Sequence, residues 1–262
     1  MKIFELLEKF IRATAWEMEK PAAYGAFHLI FTFVGLAAVI GAAYLLRRTD
    51  KKANRTVLLS VGIFLILTEV YKHLFYYYVM GNGDYPWWIF PFQLCSIPMY
   101  FCIIAPLIPE GKLQRALYSF MGSFNLLGGL MAFIEPSGIV HGHWTLTLHA
   151  FVWHMLLIFV GVYLLACGRA GSEKKDYLHS VYVFLCLCAV AFLLNVVIGK
   201  LTGEGINMFY VGPQNSPLAV FKTISERFGW YVSTALYIPA VCLGAFVVFL
   251  PMHLYRRRAK EK

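Results

Sequence analysis

Seven long apolar blocks bounded by charged residues, at roughly 24–46, 57–80, 90–108, 115–134, 146–167, 179–199 and 230–254, constrain this chain more than any motif it carries. A helix that crosses the hydrocarbon core of a bilayer needs about 20 apolar residues, so seven of them use about 140 residues of the 262. What remains is short connections and one longer one, with no room for a separate soluble domain. Composition agrees: 60% of the residues are apolar and 14% charged, against about a quarter charged in an ordinary soluble domain. The predicted fold class is all-α, a polytopic membrane protein with a bundle of about seven transmembrane helices.

The net charge of +9 does not point to nucleic acid, because the charges sit between the apolar blocks. Fifteen Lys and Arg fall in alternate connections on one side, from Arg47 and Arg48 to Arg256 and Arg257, and seven fall on the other. Cytoplasmic loops are enriched in such residues, so the carboxy terminus is expected in the cytoplasm and the amino terminus outside. Residues 1–23 alternate charge and apolarity at helical spacing and are too charged for a signal peptide, which predicts an interfacial amphipathic helix. Residues 24–254 are then the transmembrane domain, with an extracytoplasmic loop at 200–229 rich in Gly and Pro, and residues 255–262 a basic tail. Tyr85, Trp87, Trp88, Trp230 and Tyr231 fall at the predicted outer ends of spans, where amphipathic rings favour the headgroup region. The cysteines lie in or beside apolar runs, and no structural disulfide is expected.

Polar side chains within the spans are unevenly distributed in depth. Glu69, Lys72 and His73 recur at i, i+3 and i+4, one helix face, about 10–16 Å below the outer end. Gln93 and Cys95, Asn125, His149 and His154, and Asn195 fall at the midplane or in the outer half of their spans. The opposite halves are almost bare of polar groups, which predicts one outward-facing polar cavity. Asn125 and Asn195 taken singly can equally join neighbouring helices. Intramembrane charges must face the interior and pair, so Glu69, Lys72 and His73 are expected to form one unit, whether its role is structural or functional. Cys95 lies between Pro91 and Pro98, and Pro98 is expected to free the Leu94 carbonyl and widen the helix beside the thiol. His141 and His143 are close in sequence, but no HExxH or CxxC is present, and neither a metal site nor a cofactor is predicted. His154, in an otherwise apolar stretch, is either a packed core residue or a base.

Several segments together resemble the YwaF-type family of integral membrane proteins, related to eukaryotic membrane acyltransferases that use a cysteine and, more distantly, to membrane lipid hydrolases. They are Thr68-Glu69-Val70-Tyr71, Pro91-Phe92-Gln93-Leu94-Cys95, Pro136 with Trp144, Phe151-Val152-Trp153-His154, the stretch from Gly205 through Asn207 and Tyr210 to Ser216-Pro217-Leu218, and Gly229-Trp230-Tyr231. They follow one another in order across spans two to seven. The family usually carries His two residues before the cysteine, where this chain has Gln93, so the resemblance leaves His154 as the best base and Gln93 as a donor to an oxyanion.

What the resemblance implies is a lipid acyltransferase or lipid hydrolase in the cell (inner) membrane of a bacterium, with membrane lipids as substrates. Cys95 would be the nucleophile, His154 or His73 its base, and Glu69, Lys72, Gln93, Asn125, His149, Asn195, Asn207 and Tyr210 the groups that hold the substrate. A second reading is a transporter or ligand-binding sensor that uses the same Glu69, Lys72 and His73 face.

Overall fold

The computed structural model describes residues 2–260, and among them there are helices, turns and loops with one isolated bridge between Glu17 and His143. The helices are α1 (Lys2–Ala13), α2 (Ala26–Leu45), α3 (Lys51–Phe75), α4 (Ile97–Ile104), α5 (Lys112–Phe120), α6 (Leu126–Ile134), α7 (Trp144–Ala166), α8 (Lys174–Thr202), α9 (Ala219–Phe228) and α10 (Trp230–Lys260). A π turn, Tyr76–Met80, prolongs α3, and another, Met121–Asn125, joins α5 to α6. Local signals explain several boundaries. The Asp50 carboxylate accepts from the Ala53 N–H at 2.7 Å and starts α3, and Glu173 and Asp176 form a capping box that starts α8. Gly203 ends α8 in the left-handed region, φ 76°, where a side chain would be strained.

Six helical stretches are long and apolar enough to cross a membrane: 26–48, 51–80, 112–134, 144–166, 174–202 and 230–258. The 112–134 and 144–166 stretches are 67% buried in their apolar windows, whereas those of 26–48 and 230–258 are 11% and 17% buried, so α5, α6 and α7 form the centre and α2 and α10 the periphery. The centre is tight because Gly161 of α7 faces Leu126 and Met121, where an added Cβ would stand 2.8 Å from the Leu126 Cβ. Small residues at crossings let helix backbones approach, and dispersion then does the work that water exclusion does elsewhere.

The bundle has two chemically distinct ends. One, the basic end, gathers the Lys51–Glu110 pair at 2.9 Å, the Arg115–Asp176 pair at 2.6 Å and the Arg169 bond to the Thr49 carbonyl at 3.3 Å. The other, the aromatic end, gathers Trp16, Tyr85, Trp87, Trp88, Trp144 and Trp230, with Trp87 N–H donating to Glu204 at 3.0 Å and Trp144 N–H to the Trp16 carbonyl at 2.8 Å.

The third apolar block departs from expectation. Helix covers only Ile97–Ile104 of the 90–108 stretch, yet the chain still passes from Trp87 at the aromatic end to Glu110 at the basic end. Eight residues rise about 12 Å, well short of a bilayer core, so this crossing is part helix and part irregular backbone. Pro86 and Pro91 explain the irregular part, since each lacks an N–H. Pro98 does not widen a helix at Cys95 as expected; it lies in the first turn of α4, where its missing donor costs nothing. Irregular backbone at membrane depth must find partners within the protein. Side chains supply two of them: Tyr100 O–H donates to the Pro91 carbonyl at 2.8 Å and Trp153 Nε1–H to the Cys95 carbonyl at 3.0 Å.

The amino-terminal amphipathic helix ends at Ala13. Its Ile11 is buried with Phe75 and Leu146, while Ile3, Leu6 and Phe10, on the adjoining stripe, are exposed. At the other terminus α10 runs without a break to Lys260, so the described part of the basic tail is helix; Met1, Glu261 and Lys262 lie outside the described residues.

Candidate functional site

The charged face of α3 forms one hydrogen-bonded unit. Glu69 is buried, and its Oε1 accepts from Lys72 Nζ at 2.6 Å and lies 3.2 Å from His73 Nε2. The other nitrogen, Nδ1, lies 2.7 Å from the Tyr85 hydroxyl, and the two rings stack at 5.6 Å and 16°. Tyr85 belongs to the loop after α3, and burial, followed by the Glu69 charge, pushes its phenol up to about 12. It therefore keeps its proton at neutral pH. In the neutral imidazole Tyr85 donates to Nδ1 and Nε2–H donates to Glu69; in the imidazolium both ring nitrogens donate.

Opposite this face stands α7. Leu146 packs with Phe75, and Trp153 and Leu157 pack with Leu65, Met99 and Cys95. The two helices run antiparallel, so the stripe Leu146, His149, Trp153, Leu157 carries His149 and Trp153 to the level of Lys72 and Glu69. The His149 ring stacks on Trp153 at 5.4 Å and 29°, and its buried Nε2 finds no hydrogen-bond partner among the described residues. Cys95, half-buried and unpaired, is within electrostatic range of both Lys72 and Glu69. The fold thus assembles Glu69, Lys72, His73, Cys95 and His149, with Tyr85 and Trp153, which sequence reasoning gave no role here. Tyr85 has no local signal for this role, because its partner arrives only when the loop folds back on α3.

His154 is turned about a quarter of a helical turn away from Trp153, toward Phe133 of α6 at 6.5 Å, and its Nδ1–H donates to the Ala150 carbonyl at 2.7 Å. No hydrogen bond among the described residues joins it to Cys95. Asn125 Nδ2 donates to the Leu157 carbonyl at 3.1 Å and ties α6 to α7.

The remaining expected ligand groups serve the 203–218 segment. Asn195 donates to the carbonyls of Met208 and Gly212 at 3.0 and 2.8 Å and accepts from Met208 N–H at 2.7 Å. Asn207 donates to the Gln214 carbonyl at 3.1 Å and accepts from Gly212 N–H at 2.9 Å. Gln93 accepts from Phe209 N–H at 2.9 Å, which spends its amide oxygen on the loop. Together these three hold Phe209 and Tyr210 at positive φ, 55° and 54°, a conformation that needs such support in bulky residues. The Tyr210 ring stands edge-on to Tyr237 at 6.0 Å, and burial pushes its phenol up to about 12.

Two concavities flank the bundle. One of about 400 Å³ runs along Leu46, Thr49, Lys52 and Val57 at the basic end; one of about 230 Å³ lies among Asn195, Lys200, Glu204 and Gln214 at the aromatic end. Neither is lined by Glu69, Lys72, His73 or Cys95. No group of three or more His, Cys, Asp or Glu converges on a metal-sized space among the described residues.

Compared with known proteins, residues 23–250 match the family described as the TMEM164 family, which takes in all six long helices almost completely. No curated protein and no solved structure matches the chain.

Proposed function

The chain belongs to the TMEM164 family of membrane proteins, and on that premise we propose that it is a lipid acyltransferase or lipid hydrolase that uses Cys95 as its nucleophile. The observation that carries the reading is the broken third crossing: backbone that forgoes helix at membrane depth holds a thiol beside a buried Glu–Lys pair. Proline-interrupted crossings are sites of function in membrane proteins because they expose polar backbone to a ligand. The resemblance of the 91–95 and 151–154 segments to the YwaF-type family supports the same chemistry.

The reaction proceeds in two halves. The Cys95 thiol gives its proton to His154 Nε2 through an intervening water, because no hydrogen bond among the described residues joins the two directly; the sulfur attacks the carbonyl carbon of an acyl ester, and the C–O bond breaks. The departing alkoxide takes the proton from His154. A second hydroxyl, from a lipid in transfer or from water in hydrolysis, then attacks the thioester as its proton passes to His154; the C–S bond breaks, and His154 returns the proton to the thiolate. Glu69 balances Lys72 and orients His73, and Lys72 faces the phosphate of the lipid. The protein works in the cell membrane of a bacterium with its amino terminus outside, as the bias of Lys and Arg supports.

Incubation with an activated acyl donor tests the reading. An adduct on Cys95 that neutral hydroxylamine removes, and that Cys95→Ala lacks, is expected. His154→Ala is expected to slow its formation about 10²–10⁴-fold, and Cys102→Ala to change little. Lipid turnover that persists in Cys95→Ala overturns the nucleophile. The broken crossing also suits a transporter, and uptake of a solute by Cys95→Ala vesicles, lost in Glu69→Gln, would favour that function instead.

A further inference from the structure

At the aromatic end, the smaller of the two concavities has charged groups that the proposed reaction does not use. It holds about 230 Å³ and lies where the last turn of α8 meets the 203–214 segment, with Lys200 and Glu204 in its wall. Gly199, Gly203 and Gly205 line it without side chains, and the Gln214 amide closes one flank, 3.3 Å from where a side chain on Gly205 would begin. Glu204 Oε2 accepts from Trp87 N–H at 3.0 Å. Among the described residues its Oε1 takes no bond and Lys200 Nζ enters no ion pair. A solvated lysine is ordinary by itself. An ammonium and a carboxylate in the wall of one small hollow, unpaired with each other, match a ligand that carries both signs.

Depth and neighbours identify that ligand. Trp230 stacks at 6.1 Å and 26° on Phe192, about two turns deeper on α8 than Lys200, so Lys200 stands just outside the belt of aromatic rings, at the depth of lipid head groups. Leading inward from the hollow, Leu201, Val197, Leu193 and Val190 recur at helical spacing on the adjoining strip of α8, and all are exposed. On a membrane helix such a strip faces hydrocarbon and offers a seat for an acyl chain. The volume agrees with that division. It is smaller than the pockets of about 300–1,000 Å³ that enclose drug-sized ligands, which leaves room for a head group and not for the chains.

We infer that this hollow binds the head group of a zwitterionic phospholipid of the phosphatidylethanolamine kind, with its phosphate on Lys200, its ammonium on Glu204 and one acyl chain along Val197 and Leu193. Neither Lys72 nor Cys95 lines it, so the site is separate from the one proposed for acyl transfer and the inference stands apart from that reading. Bound there, the lipid braces the 203–214 segment, which Asn195 ties to α8 and Glu204 to the start of the third crossing.

The purified full chain, washed free of lipid in detergent and given equimolar dioleoyl phosphatidylethanolamine and dioleoyl phosphatidylglycerol, tests this by native mass spectrometry. The chains are identical, so only the head group differs. The parent should retain phosphatidylethanolamine over phosphatidylglycerol by about fivefold, the worth of one partly exposed ion pair. Glu204→Gln, whose amide oxygen can still accept from Trp87 N–H, should bring the two lipids to equal retention. Lys200→Glu should lower retention of both, whereas Lys222→Glu, the same change of charge on α9, should alter neither. Equal retention by the parent overturns the inference, as does a preference that Glu204→Gln leaves intact, or a loss in Lys222→Glu as large as in Lys200→Glu. Glycerophosphoethanolamine at the concentration of the lipid should displace little of it; full displacement would assign the hollow to a soluble phosphodiester and overturn the lipid. Cys95→Ala should bind as the parent does, so failure of the catalytic reading is a distinct result.

Discussion

Glu69 accepts two donors on one carboxylate oxygen, and that geometry makes its loss alone worse than loss of the pair. Glu69→Gln leaves the Lys72 ammonium in a largely apolar bundle. The expected loss is about 3 kcal/mol, at the low end for a buried pair because Lys72 keeps about a fifth of its side chain exposed. Lys72→Met in the Glu69→Gln background should recover most of it. Melting midpoints of both single variants and the double variant in detergent check this, and strictly additive losses would show that the two do not pair. Trp153→Phe keeps the ring packing but removes the bond to the Cys95 carbonyl, so a loss of about 1 kcal/mol is expected from the same measurement. The i, i+3, i+4 face of α3 was legible because helical spacing is local. Tyr85, 12 residues after His73, was not, since nothing near it in the chain signals the bond.

Among the elements, the connection before α7 carries a pH dependence. Burial, and then the nearby Lys20, hold the His141 imidazole below its usual range. Below the ordinary histidine range the unfolded chain takes up a proton that the folded chain resists, so stability is full at pH 7.5 and falls as pH drops through about 6.5. His141→Gln should flatten the fall in melting midpoint between pH 7.5 and 5.5; an unchanged slope would assign the effect elsewhere. The α6–α7 crossing makes a steric prediction. Gly161→Ala places a methyl 2.8 Å from the Leu126 Cβ and 3.0 Å from the Met121 carbonyl, and about 1–3 kcal/mol should be lost to overpacking. The irregular third crossing was only half legible: its prolines were visible, but apolar content alone cannot separate a full helix from an eight-residue one held by side chains of α7.

At the scale of the whole molecule, the bias of fifteen basic residues to seven predicts that the basic end faces the cytoplasm. Cysteines placed at the exposed Gly83 and Gly111 in intact cells should be labelled by an impermeant maleimide at 83 and spared at 111, and the reverse pattern overturns the orientation. Membrane class, helical content and six of the seven expected spans were determined by the sequence alone, because the transfer of apolar residues into a bilayer is additive along the chain and needs no tertiary partner. Grouping was another matter. Asn195 and Gln93 have the residue type and depth of ligand groups, and Asn207 the residue type, yet the fold commits all three to a loop at positive φ. His149 and His154 differ by five positions, which sets one toward Glu69 and Lys72 and the other toward Phe133. Depth follows from counting residues, but direction depends on how each helix is rotated against its neighbours, and that rotation is fixed only by packing of the assembled bundle.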